Sequence, residues 1–403
     1  MKKTVAVIGG GASGMMAALT AAEDKNNQVV LFERQARVGR KLLSTGNGRC
    51  NLTNTSAEIG RYHGEETAFM LPAMSGFSPE QVVEYFSALG LVCTEQYGGR
   101  VYPLSDAAGS VLDVLRFALD AAGVDVRTAV SITGIRKQGE KYLLTDDGGS
   151  TAADAVIIAC GGMAGGKLGG VKDGYELLAA LGHRRTKLYP ALMPVFTGTD
   201  YPRSLKGVRA EVRMTLHMSG GRTAQSSGEL QFVEKGISGP ATFDISRCAA
   251  VEGGKVVIDL LPPLSTEEVE KRLRLRCSLS PEKEAGCAFA GMLHSRLGMA
   301  VVKYAGIKPS DMISSLTDGD ISRLADSAKN FTLPVTGTDS FENAQVTAGG
   351  IATRDFDPET LESRLAPGVF ACGEVLDIDG DCGGFNLQWA WASGRLAGRL
   401  GKK

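Results

Sequence analysis

Thr4 to Ile8 is a short, almost wholly apolar run, the pattern of a strand buried on both faces of a parallel sheet. Gly9-Gly10-Gly11-Ala12-Ser13-Gly14 follows it, and Met15, Met16, Leu19 and Ala22 then recur at helical spacing as far as Asn26 and Asn27. Gln28 to Phe32 is a second apolar strand, with Glu33 at its end. Further on, Val111 to Ala122 predicts a helix, Val126 to Ile132 and Asp154 to Cys160 predict strands, and Gly174 to Leu181 predicts another helix. The pattern changes after Pro190. Val208 to Met218, Glu229 to Val233 and Lys255 to Leu260 carry alternating or β-branched residues between Gly-rich turns such as Ser219-Gly220-Gly221, which predicts an inserted sheet or small barrel closed by Pro262-Pro263. Thr266 to Ser327 is charged and helix-rich, with Ser265 or Thr266 as N-cap. Phe331 to Phe341 returns to β character. Gly368 to Glu374 reads as a buried strand ending in glycine and a carboxylate, and Gly383-Gly384-Phe385-Asn386 opens a last helix, Leu387 to Leu400.

This order predicts an α/β chain with a discontinuous, Rossmann-like nucleotide-binding domain over 1–189 and 346–403. A β-barrel-like domain over 190–263 and 331–345 is inserted in it and carries a helical subdomain, 264–330. A length of 403 residues accommodates two or three domains. Lys plus Arg number 44 and Asp plus Glu 45, so the chain lacks the basic excess of a nucleic-acid binder, and no nucleic-acid partner is expected. The run Lys271-Arg272-Leu273-Arg274-Leu275-Arg276 reads as a solvated amphipathic helix face. No apolar run approaches the ~20 residues of a membrane span, and the Gly-split N-terminus with Glu23 and Asp24 behind it does not read as a signal peptide. The eight cysteines show no C-x-x-C spacing, and the four histidines, 63, 183, 217 and 294, form no ligand cluster. Reduced thiols, a cytoplasmic location and no metal site are expected.

The chemistry begins at the first turn. Gly9-x-Gly11-x-x-Gly14 between a strand and a helix, with Glu33 nineteen residues after Gly14, is the pattern of a dinucleotide site. Gly9 permits the tight turn, Gly11 lets a pyrophosphate approach the backbone, and Gly14 lets helix and strand pack closely. Amides around Ala12 and Ser13 face the phosphates at the positive end of the helix dipole. Glu33 accepts from ribose hydroxyls and disfavours a 2′-phosphate. The stretch Gly161 to Lys167 imitates a P-loop, but Leu168 stands where Ser or Thr must follow; Gly161 and Gly162 are better read as a second chain crossing near the ligand.

The fingerprint alone does not choose between NAD and FAD. The segment from Val38 to Asn54 is long, polar and Gly-rich and carries Arg40, Lys41 and Arg49, which suits wrapping a large anionic ligand. Glu374, behind Gly373, can hold a ribitol hydroxyl. The helix opened by Gly384 and Phe385 can face the flavin N1–C2=O edge, where negative charge grows on reduction. Gly39-Arg40-Lys41-Leu42-Leu43, Gly48-Arg49-Cys50-Asn51-Leu52-Thr53-Asn54 and Gly373-Glu374 … Gly383-Gly384-Phe385-Asn386-Leu387-Gln388 together resemble the BaiN-like and aminoacetone-oxidase-like family of bacterial FAD flavoproteins. Gly99 to Pro103 and Val346 to Ile351 also look like family segments.

The resemblance implies FAD, bound through Gly9, Gly11, Ala12, Ser13 and Gly14 at the pyrophosphate and Glu33 at the ribose. It implies Lys41 and the loop Gly46, Gly48, Arg49, Cys50 and Asn51 beside ribitol and flavin, and Val130 backbone at the adenine. Glu374 would meet the ribitol, and the amides of Asn386 and Leu387 the flavin carbonyl edge. No catalytic acid is assigned; Tyr102 can donate a proton or simply pack. With no second fingerprint, NADH or NADPH is expected to dock transiently as electron donor. The activity implied is reduction of an electron-poor C=C bond in a small molecule, of the 3-oxo bile-acid or steroid enone type. An FAD-dependent amine oxidase using O₂ is the alternative, and a tRNA-associated flavoprotein a third reading.

Overall fold

The computed structural model describes residues 2–402. Strands β1 (Lys3–Ile8) and β2 (Asn27–Glu33) run parallel, from Lys3 opposite Asn27 to Ile8 opposite Phe32, joined by helix α1 (Ala12–Glu23). They sit in a five-stranded parallel sheet of order Val369–Ala371, Ala155–Ile158, β1, β2, Asp125–Thr128. Its centre is buried on both faces, with Val5, Ala6, Val7, Val156 and Ile157 all at 0% exposure, which accounts for their unbroken apolar runs.

The sheet takes strands from both ends of the chain, and the last helix, Phe385–Gly398, packs on α1. The two helices meet through small residues. A side chain at Gly394 would strike the Ser13 carbonyl, and one at Gly398 would stand 2.6 Å from that of Ala17. The strand expected over Val126 to Ile132 is shorter: it covers Asp125–Thr128, because Ala129 turns to φ 57° and gives its N–H to Gln35 O. Val130 therefore lies in a loop.

Contacts divide the chain into two units, residues up to Pro190 together with Phe341 onward, and Ala191–Ser340. The second unit contains a closed six-stranded barrel, in order Val195–Thr197, Gly236–Ser238, Thr223–Val233, Arg209–His217, Gly254–Asp259, Phe331–Thr338. Alternate residues Val212, Met214 and Leu216 point inward, the period-two pattern read from the sequence. Helices Thr266–Leu279, Ser295–Tyr304 and Asp318–Lys329 share one apolar core with the barrel, through Val269, Leu273, Leu297, Val301 and Leu324. Ser265 caps the first of them in a reciprocal box with Glu268. A helix not expected from the sequence, Pro240–Glu252, packs on the Thr223–Val233 strand through Ala241, Ile245 and Ala249.

In the first unit His183 is buried, stacked on Phe356 at 4.5 Å, with Nε2 2.9 Å from Ser363 Oγ. Burial holds its pKa below the ordinary imidazole value of 6.5, against a smaller opposing pull from Asp355. As pH falls through 6.5 the unfolded chain takes up a proton that the folded imidazole resists, so this contribution to stability is present above that value and lost below it. Thermal melts from pH 7.5 to 5.5 are expected to fall by about 2 °C more for the wild type than for His183→Gln. Equal pH dependence of the two proteins would contradict this.

Candidate cofactor site

The three fingerprint glycines do three different things. Gly9 (φ 109°) turns the chain out of β1, and a side chain there would strike the Ala159 carbonyl. A Cβ on Gly14 would collide with the Gly9 carbonyl, so this glycine seats α1 against the turn. At Gly11 nothing lies within 4 Å of where a Cβ would be. Met15 makes the first helical hydrogen bond, to Gly11 O, leaving the amides of Ala12, Ser13 and Gly14 without helical partners at the positive end of α1.

A cleft of about 760 Å³, counted to its open mouth, takes in Gly9 to Gly11, Glu33, Gly39 to Lys41, Val130 and Gly162. Glu33 is fixed at its rim: Oε2 accepts from the Gly10 amide at 2.8 Å and Oε1 from the Gln35 amide at 2.7 Å. The Val130 amide donates to Glu33 O at 3.0 Å, which leaves the Val130 carbonyl as the group it offers a ligand. Arg40 extends to Gln35 Oε1 at 2.8 Å. Gly161 (φ 71°) begins the second crossing; a Cβ on its neighbour Gly162 would stand 2.5 Å from Thr347 Oγ1 and 2.6 Å from Glu374 Oε1.

Lys41 lines this cleft and its ammonium lies 2.7 Å from Glu374 Oε2. Glu374 Oε1 accepts from the Thr347 amide at 2.8 Å. The two residues expected to face one part of a cofactor thus hold each other, and Thr347 supports them. The pair is partly buried, so a double-mutant cycle of Lys41→Met and Glu374→Gln is expected to give a coupling of about 1 kcal/mol in chemical denaturation. Additive effects would show that the contact contributes nothing.

Further expected residues lie in the loop that ends at Asn51 and at the start of the C-terminal helix. Gly46 and Gly48 turn the preceding loop with φ 57° and 87°. Gly373 is tied to that helix twice: its amide donates to Ser393 Oγ at 2.9 Å and its carbonyl accepts from Trp389 Nε1 at 3.2 Å. The first helical bond is Gln388 N to Gly384 O, so the amides of Phe385, Asn386 and Leu387 have no helical partners. The Asn386 side chain is occupied in holding both backbone groups of Gly380, at 2.8 and 2.7 Å. The Phe385 ring is buried edge-on to Tyr62.

Two loop residues turn elsewhere. Arg49 lies over the Tyr102 ring, 4.2 Å from its centroid, and pairs with Asp106 and Gln96. Cys50 is fully buried, and burial pushes its thiol up to about 12, which keeps it out of thiolate chemistry. Tyr102 is also buried, with its phenol held above the ordinary value by desolvation.

Among the described residues no three His, Cys, Asp or Glu side chains gather as a metal site. His63 lies 2.7 Å from Asp381, and His294 caps the helix Ser295–Tyr304. Ser363, His183 and Asp355 imitate a nucleophilic triad. Ser363 Oγ, however, is buried and accepts from the amides of Leu365 and Ala366, so it locks a turn. No helix among the described residues is long and apolar enough to cross a membrane.

Comparison with known proteins places this geometry among relatives. The sequence model of the HI0933-like protein Rossmann domain matches residues 3–400. A 3-dehydro-bile acid delta(4,6)-reductase of Clostridium scindens is 37% identical over 401 residues, covering 98% of each chain. A ribosomal RNA dihydrouridine synthase of Escherichia coli K12 is 27% identical over 387 residues, covering 96% of this chain and 95% of its own. Among solved structures, a 3-ketosteroid delta1-dehydrogenase of Sterolibacterium denitrificans in complex with 1,4-androstadiene-3,17-dione superposes with TM-score 0.52, covering 99% of both chains at 13% identity. At that identity the likeness concerns the fold alone.

Proposed function

The chain belongs to the HI0933-like Rossmann family, and from that premise we propose that it is an FAD-dependent reductase of electron-poor C=C bonds, with 3-oxo bile acids or steroid enones as its substrate class. The observation that carries the reading is 37% identity, along 98% of both chains, to a reductase acting on 3-dehydro-bile acids. The residues fit FAD. Free amides at α1 face the open space at Gly11, Glu33 stands at the rim for a ribose, and the Val130 carbonyl is available to adenine. At the other end, the amides of Phe385, Asn386 and Leu387, which have no helical partners, offer a polar ring edge a set of donors.

FAD, when bound, supplies hydride transfer from NADH or NADPH to the β carbon of the enone. The protein's part is orientation and electrostatics. The α1 amides would hold the pyrophosphate, and the Lys41–Glu374 pair would border the ribitol. The C-terminal helix would present its positive end to the flavin carbonyl edge, where reduction would build negative charge. The nicotinamide donor docks transiently, and the reaction is cytoplasmic. Anaerobic addition of NADPH or NADH is expected to bleach the flavin absorbance, and a 3-oxo-4-ene or 4,6-diene acceptor to restore it. Bleaching by a small primary amine, with peroxide formed in air and no response to nicotinamide, would instead support the amine-oxidase alternative.

A second reading draws on the 27% identical dihydrouridine synthases. Uracil also presents a C=C bond conjugated to a carbonyl, so the same chemistry would serve an RNA substrate. The lower identity and the balanced charge, 44 cationic against 45 anionic residues, weigh toward the small molecule. RNA retention that weakens with salt, with dihydrouridine appearing in the retained RNA, would reverse that order.

A further inference from the structure

Reduction of an enone consumes a proton as well as a hydride, and one side chain beside the start of the C-terminal helix is arranged to deliver it. Strand Tyr62–His63 pairs antiparallel with Asp379–Gly380, just ahead of that helix. Successive residues of a strand point to opposite faces. Tyr62 packs its ring edge-on to Phe385 and donates its hydroxyl to Phe385 O at 3.1 Å, while the His63 side chain stays 39% exposed. His63 Nε2 lies 2.7 Å from Asp381 Oδ1. Asp381 is itself fixed in place. Its amide donates to Arg61 O at 2.9 Å, its carbonyl accepts from Asn386 Nδ2 at 3.3 Å, and its Oδ2 accepts from Arg61 Nη1 at 3.4 Å. Among the described residues nothing bonds Nδ1, the second ring nitrogen of His63.

One ring nitrogen held by a carboxylate and the other left open is the geometry of an oriented acid–base group. A protonated imidazole carries N–H on both nitrogens, so it can give up one proton while the other keeps it anchored. Cys50 and Tyr102 also carry protons, but both are covered: Cys50 is fully buried, and Tyr102 is 8% exposed with the Arg49 guanidinium over its ring. We propose that His63 is the catalytic acid of the enone reduction and Asp381 its positioning residue. This rests on the reductase reading above and assigns the proton step within it. The His63 imidazolium gives the proton on Nδ1 to the α carbon as hydride reaches the β carbon. The π pair of the C=C bond forms the new Cα–H bond, the N–H pair stays on the ring, and water then reprotonates the neutral imidazole.

The test follows single turnovers of the FAD-loaded protein, reduced without oxygen by NADPH or NADH and then mixed with a 3-oxo-4-ene steroid. His63→Gln is expected to match the wild type within about two-fold in FAD affinity and in bleaching by the nicotinamide, and to lose about a hundred-fold in reoxidation by the enone. Asp381→Asn is expected to lose about ten-fold in the same step alone. Imidazole in the buffer is expected to restore His63→Gly about ten-fold and to leave Asp381→Asn unchanged, a difference that a purely structural role would not produce. In D₂O the wild type is expected to place deuterium on one face only of the α carbon, read by proton NMR of the product. Deuterium on both faces, or reoxidation of His63→Gln at the wild-type rate, would overturn the assignment. A His63→Gln protein that loses FAD or nicotinamide bleaching, or a loss of reoxidation confined to Tyr102→Phe, would overturn it too. A wild type that the nicotinamide does not bleach, or that the enone does not reoxidise, would overturn the reductase reading itself. The deuterium result on the wild type stands whether or not the variants fold.

Discussion

Gly11→Val is expected to yield a folded, colourless protein. Gly11 has φ −81° and ψ −171°, an extended conformation that a β-branched residue adopts readily, and nothing in the chain lies within 4 Å of the new Cβ. The apoprotein should therefore keep its stability to within about 1 kcal/mol. The added methyl groups enter the space onto which the α1 amides open, where a pyrophosphate must approach to hydrogen-bond distance. FAD affinity is expected to fall about a hundred-fold or more, equivalent to ~2.7 kcal/mol. Gly14→Val is the contrast. Its side chain collides with the Gly9 carbonyl, so that variant should fail to accumulate as folded protein. Absorbance of the purified proteins and their thermal melts separate the two outcomes. A yellow Gly11→Val protein would place the phosphates elsewhere.

Trp389→Ala is expected to cost about 3–5 kcal/mol in chemical denaturation. The indole is 1% exposed, and its N–H is bonded to Gly373 O. Truncation leaves a cavity in the core and a buried carbonyl without its donor. Gly373 also presses on α1, where any side chain would strike the Ser13 hydroxyl. Loosening Gly373 frees Glu374, so cofactor affinity should fall together with stability. Trp389→Phe, which keeps most of the volume and loses the N–H, is expected to recover more than half of the stability. A variant that loses stability but binds FAD as the wild type does would show that Trp389 supports the core alone.

The parts of the fold that were legible in the sequence are those whose causes are local. In β1, its turn and α1, Gly9 and Gly14 each answer a contact beside the neighbouring strand or within a few residues, and the apolar run reports burial on both faces. Barrel strands with alternating residues were equally readable. The strand read as Glu229 to Val233 extends back to Thr223, because Thr223 to Gly228 is polar and small and carries no alternation. Pro240–Glu252 was missed since its buried stripe is Ala241, Ile245 and Ala249, two alanines and one isoleucine. A three-stranded antiparallel sheet, Gly134–Gln138, Lys141–Asp146 and Gly149–Ala153, did carry a signal: Asp146-Asp147-Gly148-Gly149 marks a hairpin turn.

The site divides in the same way. The residues expected at phosphate and ribose were read from spacing, whereas the Lys41–Glu374 contact joins residues 333 positions apart. Arg49 looked like a ligand-facing cation because the sequence cannot say that Tyr102 and Asp106 will be beside it. Thr347 lay in a segment singled out by resemblance, but its support of Glu374 exists only once the C-terminal strand has joined the sheet.

Titration of the stripped protein with FAD tests most directly whether these distant segments form one cofactor site. The account predicts saturation at one FAD per chain, with a yellow product and a rise in melting temperature that grows with free FAD, as linkage requires. Protein that stays colourless and melts at the same temperature whatever the FAD concentration would contradict it.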